Sequence, residues 1–264
     1  MRLGKLDYEY DHRTLRMVDF IEETELTAPV KHSFYKGRAP VPLRMWGNDA
    51  WGNCVFVGQV NHLLCNERVE QKRTVRAQDE DVINVYQALT GARYPGDEND
   101  QGYVMLHALN WWRQNGWVVR GRNYTIDAFG ELDPLDKKQC DVASYLLRGI
   151  QLGFALPRSA ESQTQDGYWD VVEGPDSRPG SWGGHAVFSA TYDEESRIVR
   201  SWGAEIRVSN EFIAKYCDEA WAVVDSLDKW RRVPGIDTMK LADYLKKIGA
   251  RKRQLQTEKG SDKQ

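Results

Sequence analysis

The residue best placed to do chemistry is Cys54. It follows the polar, glycine-containing stretch 48–53 and opens an apolar, helix-compatible run that continues through Leu64. A thiol in the first turn of a helix feels the positive end of the helix dipole, which favours the nucleophilic thiolate. The plainer reading is one more small core residue. A cysteine nucleophile also needs a base within hydrogen-bond reach and donors aimed at the developing oxyanion. His185 is the best base among the five histidines. It opens a strand-like run after Gly183-Gly184, a pair expected to leave its imidazole room. It stands 131 residues after Cys54, and Arg200-Ser201-Trp202-Gly203 follows.

The elements that must position these residues can be read from periodicity. Val57, Val60 and Leu64 recur at helical spacing and predict a helix over 54–68, with Gln59, Asn61, Asn66 and Glu67 on its polar side. Further helices are expected over 80–90, stopped by Gly91, and over 103–115, stopped by Asn115-Gly116. Val142, Leu146 and Ile150 predict another over 141–150, followed by a buried strand over 153–157. Residues 121–138 show no period. Residues 158–183, rich in Gly, Ser, Asp and Pro, read as a long surface loop. His185–Tyr192 and Arg197–Trp202 form a hairpin signal across Asp193-Glu194-Glu195-Ser196. A short helix capped by Ser209, a strand over 220–224 and an amphipathic helix over 237–248 complete the chain. Helices first and strands later predict an α+β domain.

Residues 1–47 read as an N-terminal arm, with a short helix within 11–24 and extended backbone around Pro29, Pro40 and Pro42. The arm is expected to pack across the domain rather than serve as a removable pro-segment. The domain itself is placed at 48–250 and a polar tail at 251–264.

The chain has 264 residues, a net charge of −3 and a pI near 6.0, so nothing basic points to nucleic acid or an anionic membrane. Its start lacks an apolar signal core, and no apolar run reaches the roughly 20 residues that cross a bilayer. A cytoplasmic location is expected. Four scattered cysteines form neither a disulfide framework nor a metal pattern, and no cofactor or metal is expected. His62 and His107 are read as structural. Trp111, Trp112 and Trp117 fit a core better than a ligand platform, and the basic run 246–253 fits a solvated end.

Taken together, these motifs resemble the papain-like cysteine peptidases, whose Cys and His follow in this order with the His about 130–150 residues downstream. Gly52-Asn53-Cys54, Gly184-His185-Ala186-Val187 and Ser201-Trp202-Gly203 carry the resemblance, which covers about residues 43–225. More narrowly, the Leu-Gly-Lys-Leu start, Gly47–Cys54 and Gly183–Val187 resemble an uncharacterised group of bacterial and phage-encoded proteins with this fold. The resemblance implies a helical half and a β-rich half with a cleft between. It implies Cys54 as nucleophile, His185 as base and then acid, and Asn48 as the oxyanion donor beside the Cys54 amide. It implies Trp202 as a shield over the catalytic hydrogen bonds.

One departure stands out: Arg200 occupies the place of the family's orienting Asn. A guanidinium cannot accept a hydrogen bond. Three arrangements follow. Arg200 turns away while Asp170 or Ser201 orients His185, the site works as a dyad, or the fold persists without the chemistry. The leading expectation is thiol-dependent hydrolysis of a peptide or protein substrate. The alternative is a structural or binding protein, including a phage virion component located in the virion with protein partners.

Overall fold

A computed structural model describes residues 1–20, 28–34, 41–70, 74–225, 239 and 243. The helical half holds α1 (Cys54–Glu70), α2 (Asp79–Thr90) and α3 (Met105–Asn115). Three of these termini have a local cause. Gln78 and Asp81 form a reciprocal capping box at the start of α2, and Gly91 in the left-handed region ends it. Gly116 ends α3 with its N–H on the Trp112 carbonyl.

The other half is a sheet with three further helices packed against it. Its strands are β1 (His32–Ser33), β4 (Ala128–Leu132), β5 (Ile150–Leu156), β6 (Tyr168–Trp169), β7 (Gly183–Tyr192), β8 (Ser196–Ser201), β9 (Ala204–Ser209) and β10 (Cys217–Val224). They lie in the order β4-β10-β5-β7-β8-β9-β6, with β1 paired to β7. A separate hairpin joins β2 (Trp117–Val119) and β3 (Arg122–Tyr124). Among the described residues, helices α4 (Lys137–Leu147), α5 (Ser159–Asp166) and α6 (Asn210–Tyr216) accompany the sheet. This is the α+β architecture expected, a helical half and a sheet-rich half.

Two cores correspond to the halves. One gathers Val57, Val60, Tyr86, Leu109 and Trp112 around α1. The other gathers Leu152, Phe154, Trp169, Ile206 and Phe212 on the sheet. Helix α1 packs between them, and this corrects one expectation. Gln59, Asn61, Asn66 and Glu67 are buried, not solvent-facing. Gln59 accepts from the Trp117 indole at 3.1 Å, and Asn61 donates back to the Val57 carbonyl at 3.0 Å. A central helix is covered on all sides, so its polar residues must find partners inside.

Other boundaries moved for identifiable reasons. Helix α4 begins earlier than its apolar period because the Asp136 carboxylate accepts from the Gln139 N–H. It ends at Arg148 in the left-handed region, so Ile150 opens β5 instead. The expected loop 158–183 contains α5 and β6; α5 buries only Ala160 and so carries no apolar period. Strand β4 lies in the aperiodic stretch and is selected by its pairing with β10. Strand β9 went unread and extends the hairpin of β7 and β8. The helix expected within 11–24 is, in its described part, a single 3-10 turn at Met17–Asp19. The helix expected over 237–248 falls, apart from two residues, outside the described residues, as does the tail 251–264.

Candidate active site

Cys54 is the first residue of α1, fully buried, and it faces β7. The nearby Ala186 and Gly4 amides favour its thiolate. Burial nevertheless pushes the thiol up to about 11. The depressed pKa expected at a helix start is therefore overturned in this closed state, because loss of water outweighs the helix field and the amides.

His185, on β7, is buried under the Trp202 indole, stacked at 3.9 Å with ring planes 10° apart. Its Nε2 lies 2.6 Å from the Ser201 hydroxyl, while its Nδ1 has no hydrogen-bond partner. Burial holds the imidazole down to about 3, so it is neutral near pH 7.

Of the two third-position candidates, Ser201 meets the imidazole and Arg200 does not. Neighbours on a strand point to opposite faces. With Ser201 turned to His185, Arg200 turns the other way, to the Val41 carbonyl at 3.2 Å and Glu205 at 3.0 Å. Asp170 is engaged elsewhere, accepting from Ser209 at 2.7 Å.

Asn48 is buried, and its amide donates to the Trp51 carbonyl at 2.9 Å and to the Arg2 carbonyl at 3.2 Å. The Arg2 carbonyl also accepts from the Trp202 indole at 3.1 Å. The arm is thus inside the cleft. Its Gly4 and Lys5 amides donate to the Gly184 carbonyl at 3.1 and 3.0 Å. The Gly4 carbonyl accepts from Tyr103 N–H at 2.8 Å, and Leu6 N–H donates to the Tyr103 carbonyl at 3.1 Å.

The cleft glycines explain this fit. A Cβ on Gly184 would lie 2.0 Å from the Lys5 carbonyl oxygen, so that glycine makes room for the arm, not for the imidazole as expected. A Cβ on Gly102, at φ +97°, would lie 2.2 Å from the Gly4 oxygen. Gly4 itself has no room for a side chain, since its Cβ would meet the Gly52 oxygen at 1.9 Å. Gly4 thus turns its N–H to the Gly184 carbonyl and its own carbonyl to Tyr103.

Sequence reasoning missed two contributors. Asp100 braces the turn before Cys54: Oδ1 accepts from Gly52 N–H at 2.8 Å and from the Tyr86 hydroxyl at 2.7 Å, and Oδ2 pairs with Arg2 at 3.2 Å. Lys5 is buried with its ammonium 2.9 Å from Asp218 and 3.1 Å from Glu219. Burial opposes its charge, but the two carboxylates outweigh that and raise its pKa. No local spacing announces either contact; both join residues remote in sequence.

The residues read as structural behave so. His62 is buried and stacked on Phe188 at 4.7 Å. His107 lies at the surface, 3.0 Å from Glu9. Trp111 packs on Trp117 at 5.1 Å, and the Trp112 indole donates to the Tyr124 carbonyl.

No protein-family model matches the chain, and no curated protein matches it in sequence. Solved structures do match. Xylellain, a cysteine protease from Xylella fastidiosa, superposes with a TM-score of 0.67 at 14% identity, over 85% of this chain and 96% of that one. The Carica candamarcensis cysteine protease CMS1MS2, in complex with E-64, gives 0.52 at 13% identity over 75% and 99%. Procathepsin B S9 from Trypanosoma congolense gives 0.56 at 10% identity over 85% and 87%. The fold is that of the papain-like cysteine proteases.

Proposed function

We propose that Cys54, His185 and Ser201 form a thiol-dependent centre that hydrolyses a peptide or amide bond, and that residues 2–6 hold it closed. The observation that carries this reading is the Ser201 hydroxyl on His185 Nε2 beneath Trp202, with Nδ1 left unpartnered. A base oriented on one nitrogen keeps the other for the nucleophile.

With the arm withdrawn, water reaches both groups and their pKa values relax toward the ordinary range. Nδ1 then takes the thiol proton. The sulfur attacks the substrate carbonyl carbon, forming the C–S bond, and the Cys54 amide with the Asn48 side chain, freed from the Arg2 carbonyl, stabilises the oxyanion. The C–N bond breaks as the imidazolium protonates the leaving amine. Water next attacks the thioester carbonyl with His185 accepting its proton, the C–S bond breaks, and the acid leaves. Arg200 takes no part, since it serves the far face of β8.

The occupied cleft supports a second reading, a structural or binding protein on this fold, including a virion component. Iodoacetamide labelling of Cys54 at neutral pH, with turnover of a peptide library, separates the two. Labelling and turnover that vanish together in Cys54→Ala support hydrolysis. Labelling of an opened variant without any turnover sinks it in favour of binding.

A further inference from the structure

We infer that the cleft is selective for a peptide that places a lysine or arginine side chain in the pocket now filled by Lys5. This deepens the proposed function, since it assumes that a ligand chain lies where the arm lies. The pocket has three determinants: Glu219 as its buried base, Asp218 at its half-open side, and Gly153 as its wall.

Glu219 is the centre of the argument. Its side chain is 1% exposed, and its Oε2 accepts from the Trp221 indole at 2.6 Å. Its Oε1 faces the Lys5 ammonium. A carboxylate this deep in the protein is strongly disfavoured without a cation beside it. When the arm leaves, an apolar side chain entering the pocket would strand that charge. A basic one would restore the pair and also meet Asp218.

The wall supports the same assignment. A Cβ on Gly153 would lie 2.4 Å from Lys5 Cε and 2.5 Å from Glu219 Cγ. The channel therefore admits a long, unbranched stem that carries its charge to the far end. Lysine and arginine have that shape, and their apolar stems tolerate burial while the head is paired. An acidic side chain is excluded by two like charges.

The test uses the full-length chain with Lys5→Glu, which sets a third carboxylate in the pocket and drives the arm out. Gly4→Ala serves as a second host should the first fail to fold. The probes are acetylated, amidated, fluorescein-labelled heptapeptides with the sequence of residues 2–8, carrying Lys, Arg, Met or Glu at the position of Lys5. Anisotropy gives their affinities, with no need for turnover.

The expected result is binding of the Lys and Arg peptides at least tenfold tighter than Met, with Glu weakest. Adding Glu219→Lys to the Gly4→Ala host should invert the order and favour Glu. Equal affinity for Lys and Met overturns the inference, as does selectivity that survives Glu219→Gln or the absence of binding by every peptide. Because binding alone is read, selective binding without hydrolysis would reject the catalytic reading and leave this one standing.

Discussion

Gly4→Ala is the smallest perturbation that addresses the closed cleft. The added methyl carbon would sit 1.9 Å from the Gly52 oxygen and 2.4 Å from its carbonyl carbon. Ordinary contact requires about 3.5 Å, so the arm must retreat by roughly 1.5 Å. That distance breaks the bonds from Gly4 and Lys5 N–H to Gly184 and from Tyr103 N–H to Gly4, now 3.1, 3.0 and 2.8 Å long. At about 1 kcal/mol net for each, the closed state loses about 3 kcal/mol. The open population then rises about a hundredfold, since 1.4 kcal/mol is tenfold in an equilibrium constant. Opening also hydrates the thiol and removes the burial that holds it at about 11. The assay is the rate of iodoacetamide alkylation of Cys54, followed by mass spectrometry of its peptide at pH 7.5, with Cys54→Ala as the blank. The other three thiols are buried and react slowly in both chains. The expected ratio of variant to parent is about a hundredfold. A ratio within twofold, in a variant that still unfolds cooperatively at the parent temperature, would refute the role of the arm as a cover.

Three further outcomes follow from the same geometry. Ser201→Ala leaves His185 Nε2 buried without its partner. In a Gly4→Ala background it should lower kcat/KM about 10- to 100-fold, and Arg200→Met should change it less than about threefold; equal losses would show that position 200 acts on the imidazole after all. Asp100→Ala removes the acceptor for Gly52, Tyr86 and Arg2. A loss of about 3 kcal/mol lowers Tm by about 6–12 °C in a domain of this size, checked by calorimetry. Burial depresses His185 to about 3 and His62 to about 4, below the ordinary imidazole value. A depressed histidine contributes stability that is complete above about pH 6.5 and is lost as pH falls toward its folded value. Tm should therefore decline from pH 6.5 toward pH 4, less steeply in His185→Gln; a flat profile over that window would show that neither imidazole stays neutral.

The chain's own pattern was enough to specify the helical half and the hairpin carrying His185, and it nominated Cys54 and His185 as the residues to watch. Those features are local: an apolar period, a glycine stop, a turn of acidic and small residues, a thiol opening a helix. The neighbour-alternation of a strand even left Ser201 available once Arg200 was seen to be unsuitable. Strand β9 is as long as β8 and alternates through Glu205-Ile206-Arg207-Val208, a signal that was overlooked. Strands β4 and β6 were not legible, because they are short and chosen by the strands they pair with rather than by their own composition. The polar side chains of α1 were misread for the same reason, since covering from both halves is invisible in a single helical period.

Only the tertiary structure decided the state of the site. Burial is a property of the whole assembly, and it, rather than the helix dipole, fixes the thiol at about 11 and the imidazole at about 3. The arm's place in the cleft depends on contacts between Gly4 and Gly102 or Gly184, and between Lys5 and Glu219, pairs far apart along the chain. Sequence spacing can nominate a nucleophile and its base, because their elements form locally. It cannot say what covers them, because that depends on which distant backbone a row of glycines leaves room for.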